Sequence, residues 1–201
     1  MLNKDQVVAD NDWFSSDLLF DKLYPENLRV LASRHWTPIA IAKQAMALLA
    51  PKQGDRILDI GSGVGKFCLT VAQFYPLVEI DGIEQRSELV AAAQQAKATL
   101  AIKNAAFFLG DFTEMDFTKY THLYFFNSFY ENLIAQDSND ANNIESADLF
   151  NKHNRKLYKL LKSLPVGIRL ATYHSTENEM PADYHIVAVG TDEELKCWVK
   201  V

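Results

Sequence analysis

Gly61, Gly63 and Gly65 follow directly on the run Arg56-Ile57-Leu58-Asp59-Ile60 and lead into a helical pattern. Glycine permits the positive φ and close backbone approach needed where a strand end turns into a helix beside a ligand. The stretch therefore predicts a strand, a tight ligand-facing loop and a helix, the arrangement of a nucleoside site at the carboxyl end of a parallel sheet. About twenty residues further on, Glu84 ends the next apolar run, where a carboxylate can accept hydrogen bonds from ribose hydroxyls. Asp111, in Gly110-Asp111-Phe112, follows the run after that. Its carboxylate can accept from an exocyclic amino group while the adjacent aromatic covers a base. The glycine spacing is GxGxG rather than the GxGxxG that seats a pyrophosphate on a helix N-terminus. A tight turn, a solvent-facing strand end and a turn aspartate are the plain structural alternatives for these three positions.

These residues need a scaffold, and the spacing of apolar runs supplies one. Strands are predicted over 56–60, 78–84, 105–109, 122–126 and 167–173, and helices over 39–50, 64–74, 87–100 and about 146–164. Thr37-Pro38 reads as a helix start, Thr capping and Pro at the first helical position, and Pro51 ends that helix. Two further runs, 184–189 and 195–201, are separated only by Gly190-Thr191-Asp192-Glu193-Glu194. A parallel return needs a crossover of about a dozen residues, so this short link joins antiparallel neighbours. The expected fold is α/β: a three-layer Rossmann-like sandwich whose seven-stranded sheet has five parallel strands with alternating helices, plus a C-terminal antiparallel hairpin. Residues 1–37 carry aromatic and aliphatic residues at short helical spacings and read as an N-terminal helical cap, leaving 38–201 as the cofactor-binding domain. The polar interval 131–145 lacks a period and reads as a mobile loop.

Bulk properties bound the function. Hydrophobic content of 48% and charged content of 23% are those of an ordinary globular chain. The net charge of −6 gives no general pull toward nucleic acid. Lys152, Arg155, Lys156, Lys159 and Lys162 nevertheless line one predicted helix, as a solvated face or as a patch for an anionic substrate. The N-terminal sequence has no signal-type apolar core, and no run approaches the ~18 apolar residues of a spanning helix, so a cytoplasmic protein without membrane contact is expected. Cys68 and Cys197 show no paired spacing, which predicts buried reduced thiols and no metal site.

The ILDIGSGVG stretch, the Glu of DGIE, the Asp of LGDF and the terminal hairpin, in this order, resemble the class I S-adenosylmethionine-dependent methyltransferases over about residues 37–201. The resemblance implies that S-adenosyl-L-methionine is the cofactor. It assigns Gly61, Gly63 and Gly65, with Ser62, to the methionine and ribose portions, Glu84 and Gln85 to the ribose side, and Asp111 with Phe112 to the adenine. Asp59 helps to hold the loop and the methionine amino group, Thr37 belongs to a lid formed by His35-Trp36-Thr37-Pro38, and Asn127 completes the set.

The methyl acceptor is less defined. Asn127-Ser128-Phe129-Tyr130 resembles the Asn-Pro-Pro-Tyr motif of amino-group methyltransferases acting on adenine or glutamine, with both prolines absent. GSGVG, GIE, GDF and NSF also resemble the core of the non-SET histone-lysine methyltransferases over about residues 56–130, without that family's N-terminal region or basic tail. Transfer from a sulfonium needs an aligned lone pair on a deprotonated acceptor. Asn127 and Tyr130 are the candidates to orient that acceptor and Glu131 to handle its proton, against helix-cap or packing roles. N-methylation of a protein amine or small molecule is the first expectation. An RNA or DNA base methyltransferase, a non-catalytic cofactor-binding regulatory module and a nicotinamide oxidoreductase are the alternatives.

Overall fold

A computed structural model describes residues 13–30, 32–126, 140–175 and 180–201. Three short helices, α1 (Asp17–Asp21), α2 (Glu26–Arg29) and α3 (Ala32–His35), precede α4 (Ile39–Leu49). Then come β1 (Arg56–Ile60), α5 (Lys66–Phe74), β2 (Glu79–Glu84), α6 (Ser87–Thr99), β3 (Ala105–Leu109) and β4 (His122–Phe126). The chain continues through α7 (Asp140–Ser163), β5 (Arg169–Tyr173), β6 (Tyr184–Val189) and β7 (Leu195–Lys200).

The seven strands form one sheet in the order β3-β2-β1-β4-β5-β7-β6. β1 to β5 are parallel, and β7 runs antiparallel between β5 and β6. The hairpin thus folds back so that its second strand, not its first, meets the parallel sheet. The chain winds outward from β1 to β3, then returns to place β4 on the other side of β1. Ligands bind at such a reversal, outside the carboxyl ends of the strands.

Strand alternation divides the core. Ile57 and Ile80 face the side of α4, α5 and α6, where Met46, Leu49, Phe67, Cys68 and Ala93 are buried. Leu58, Ile60, Leu123 and Leu170 face the other side, which Leu157 and Leu161 of α7 cover together with Leu164, Phe112 and Phe117. Phe14, Phe20, Tyr24 and Trp36 belong to the first of these cores and not to a separate one.

Several expectations change. Between β3 and β4 there is no helix but two 3-10 turns, Phe112–Glu114 and Phe117–Lys119. Asp111 and Asp116 accept from the amides of Thr113 and Thr118, the local side-chain bonding that competes with helix in a short connection. Thr37 does not cap α4: Pro38 holds the cap position, and the Ile39 amide donates to the carboxylate of Asp17 at 3.0 Å, supplied from α1. Helix α7 begins at Asp140, so residues 140–145 of the interval read as a loop are helical. They contain no Gly or Pro, and a helix once nucleated extends through polar residues at little cost. The rest of that interval, together with Asn127, Ser128, Phe129, Tyr130 and Glu131, lies outside the described residues. Among the described residues no helix is long and apolar enough to cross a membrane, and no group of three His, Cys, Asp or Glu residues is placed to hold a metal.

Candidate functional site

The loop after β1 is built from left-handed glycines, with φ of 76° at Gly61, 55° at Gly63 and 80° at Gly65. The amides of Gly61 and Ser62 both donate to the carbonyl of Ile83, at 2.9 and 3.0 Å, which ties the loop to β2. Gly65 must be glycine twice over, because a Cβ there would also lie 2.5 Å from the Phe107 ring. Gly63 differs: no atom lies within 4 Å of where its Cβ would be. The loop is therefore clamped underneath and open at its middle glycine.

Glu84 closes the side of that opening. Its Oε2 accepts the Gly63 amide at 3.0 Å, and its Oε1 accepts the amides of Gln85 and Arg86 at 2.9 and 3.0 Å. The Arg86 guanidinium pairs with the same carboxylate at 3.1 Å. A buried carboxylate held by this many donors is fixed in direction. Gln85 contributes its backbone amide to this arrangement.

Asp59 occupies the face of β1 opposite to Leu58 and Ile60 and is buried beside Cys68, whose thiol donates to its Oδ2 at 3.3 Å. Burial pushes its carboxyl up to about 7, the Cys68 hydrogen bond opposes this, and the nearby Glu84 charge adds to it. Burial and the Asp59 charge likewise push the Cys68 thiol well up. Both cysteines are buried and free. The side chain of Asp59 thus lies behind the loop.

On the next strand end, Asp111 Oδ1 accepts from the amide and hydroxyl of Thr113 at 2.9 and 2.8 Å, and Oδ2 pairs with Lys156 of α7 at 2.9 Å. Burial would raise its carboxyl, but the Thr113 amide, the Lys156 ammonium and the Thr113 hydroxyl outweigh it and hold it at about 2. Phe112 is buried and faces His153 with ring centroids 6.5 Å apart. One of the basic residues of α7 therefore has a specific partner, while Lys152, Arg155, Lys159 and Lys162 are exposed.

Thr37 is buried, and its hydroxyl lies 2.9 Å from that of Tyr124, which stacks on Phe67 at a centroid distance of 3.6 Å. Trp36 packs edge-on against Tyr24 at 4.8 Å, and Tyr24 donates to the carbonyl of Val64 at 2.9 Å. The structure thus brings Asp59, Gly61, Ser62, Gly63, Gly65, Glu84 and Gln85 around one loop, with Asp111 and Phe112 following β3, while Thr37 meets Tyr124 of β4. It adds residues that the sequence reading did not select: Asp17, Asp21, Tyr24 and Lys66. Their one sequence signal was a lysine at the start of a helix, where a cation opposes the helix dipole and so needs a partner.

Residues 51–197 match a family model described as a methyltransferase domain. The 23S rRNA (uracil(1939)-C(5))-methyltransferase RlmD of Shewanella sp. (strain MR-7) is 38% identical over 72 residues, 36% of this chain and 16% of that protein. The release factor glutamine methyltransferase of Escherichia coli (strain K12) is 41% identical over 64 residues, 32% of this chain and 23% of that protein. The chain therefore spans only a small part of the length of these relatives. Among solved structures, an RNA methyltransferase from Salinibacter ruber in complex with S-adenosyl-L-homocysteine superposes with a TM-score of 0.57 at 17% identity, covering 82% of this chain and 91% of that one. With the match running from just after α4 into β7, this chain belongs to the methyltransferase-domain family.

Proposed function

We propose that the chain binds S-adenosyl-L-methionine at the carboxyl ends of β1, β2 and β3 and transfers its methyl group to an acceptor nitrogen. The observation that carries this reading is the Gly63–Glu84 pair: an open left-handed glycine whose amide is bonded to a fixed buried carboxylate. The residues fit an adenosyl group. Space is open at Gly63, Glu84 supplies an oriented acceptor for vicinal hydroxyls, and Asp111 follows β3 two positions beyond the residue paired with Glu84.

The bound sulfonium supplies an electrophilic methyl. Everything else falls to the chain. Glu84 orients the ribose, Asp111 accepts from the adenine amino group with Phe112 beside it, and the loop amides fix the methionine end. A cationic ammonium brought near Asp59 lowers its raised pKa and favours its charged form, because an opposite charge offsets the cost of burial. Asn127 and Tyr130 orient the acceptor and Glu131 takes its proton. They follow β4, whose Phe125 is in register with Ile60 at the end of β1.

A nitrogen acceptor is favoured over a pyrimidine carbon. C5 of uracil becomes nucleophilic only after a group adds to the ring, and both thiols of this chain are buried, with Cys68 held in its neutral form. A protein amine or a small molecule is the first acceptor class, supported by the likeness of GSGVG, GIE, GDF and NSF to amine methyltransferases and by the glutamine-methylating relative. An RNA base is the second, favoured by exposed Lys152, Arg155, Lys159 and Lys162 on α7.

Calorimetry tests the donor site. S-adenosyl-L-homocysteine is expected to saturate the wild-type chain while NADH does not bind, and Glu84→Ala is expected to weaken the former about 100-fold, the loss of two charge-assisted hydrogen bonds. Saturable NADH binding would overturn the reading. Labelled methyl transfer to cell extract, followed by ribonuclease or protease digestion, assigns the acceptor class; no transfer in any fraction would leave a binding module instead.

A further inference from the structure

Lys66 is the first residue of α5 and directly follows the glycine loop. Its side chain is only 4% exposed, and its ammonium lies 2.8 Å from Asp17 and 2.7 Å from Asp21, both on α1. The same ammonium sits 5.5 Å from the Phe20 ring and 5.8 Å from the Trp36 ring. A cation at a helix N-terminus opposes the dipole, and a buried ammonium is costly unless its partners are well placed. α5 would be better served there by a neutral or acidic residue. The arrangement becomes intelligible once Lys66 is seen as an attachment point for another element.

The N-terminal segment is fastened at two further places. Asp17 also accepts the amide of Ile39 at the start of α4, and Tyr24 donates to Val64 within the loop. The contacts at residues 64 and 66 flank Gly65, whose other side is already closed by Phe107. Gly65 is thereby held between Phe107 and the N-terminal segment, which limits the movement of the backbone leading back to Gly63.

We propose that Lys66 is a positioning residue: through Asp17 and Asp21 it fastens α1 to the cofactor loop, so that donor affinity depends on the N-terminal segment. This rests on the donor reading above. Rigidifying a loop in its binding conformation raises affinity by removing the ordering cost from the binding step. A cation that merely balanced charge would affect folding and leave binding alone.

Affinity for S-adenosyl-L-homocysteine is measured by calorimetry on the full chain, at a temperature where unfolding curves show every variant folded. Lys66→Met and the double variant Asp17→Asn with Asp21→Asn are each expected to bind about tenfold more weakly. The three changes together are expected to cost no more than either alone, and Lys66→Arg to stay within about threefold of wild type. Hydrogen exchange of residues 13–24 is expected to slow on ligand binding in wild type and not in Lys66→Met. Should Lys66→Met prevent folding, the Asp17/Asp21 double variant and Lys66→Arg carry the same comparison. Wild-type affinity in the folded variants, or losses that simply multiply, would overturn the proposal. Failure of the wild-type chain itself to bind would overturn the donor reading and, with it, this one.

Discussion

Asp59 and Asp111, two carboxylates of the proposed donor site, have opposite electrostatic surroundings. Asp59 is fully enclosed, with the Cys68 thiol donating to it, and its pKa rises from 3.8 to about 7. For an acid whose folded pKa is raised, the unfolded chain binds fewer protons between the two values, so stability falls as pH rises from about 4 to about 7 and is flat above. Asp59→Asn is expected to remove this dependence and to stabilise the ligand-free chain at pH 8 by a few kcal/mol relative to wild type. Thermal unfolding of both chains at pH 5 and pH 8 checks it: wild type should lose more than the variant on going up. Asp111 has the reverse sign. Its pKa near 2 contributes stability present above about 4 and lost as pH falls toward 2. Lys156→Met is expected to let the Asp111 carboxyl rise toward its ordinary value, read directly by an NMR pH titration of its side-chain carbon. The glycine positions at this scale were legible in the sequence, because the φ a turn needs restricts residue type. The partner of Asp111 was not, because Lys156 meets it only across the fold.

At the scale of elements, the strands were the most legible part. The apolar run of β4 is continuous because both faces of the sheet are covered there, and β3, β4 and the more exposed antiparallel β6 begin and end where the sequence reading put them. Helix ends were less so, since tertiary partners supply the caps. The start of α4 depends on Asp17 from α1. Its end was signalled by Pro51, but the turn itself is made by Ala50 at φ 50°. A non-glycine residue in the left-handed region costs about 1 kcal/mol or more, and glycine adopts it freely. Ala50→Gly is expected to raise stability by up to about 1 kcal/mol, a rise of about 2–4 °C in Tm for a chain of this size. Differential scanning calorimetry measures it, and an unchanged or lower Tm would contradict the strain.

Across the whole molecule, the N-terminal segment and the sheet share one hydrophobic core. Phe20 is fully buried in the cluster that contains Met46, Leu49 and Phe67. We propose on this basis that the boundary drawn at residue 37 separates segments of sequence and not independently folding units. Phe20→Ala is expected to cost about 3–5 kcal/mol and to move the entire urea transition as one step. A separate early transition, leaving the main one in place, would show the segment to be independent. The terminal hairpin is tied to the same body, with Trp198 donating to Thr172 at 2.9 Å and the Gln44 side chain bonding the Thr191 side chain at 3.1 Å.

The sequence alone determined the alternation of strands and helices, the glycine loop, its two carboxylates and the antiparallel finish. Each depends on local requirements: burial period, backbone φ and the length of a connection. The tertiary structure decided which strand of the hairpin meets the sheet, which carboxyl has its pKa raised and which lowered, and that α1 reaches the glycine loop through Lys66. Those outcomes depend on pairings between residues tens of positions apart, such as Lys66 with Asp21 and Asp111 with Lys156. No local pattern encodes a distance of that kind; it appears only when packing of the core brings the two elements together.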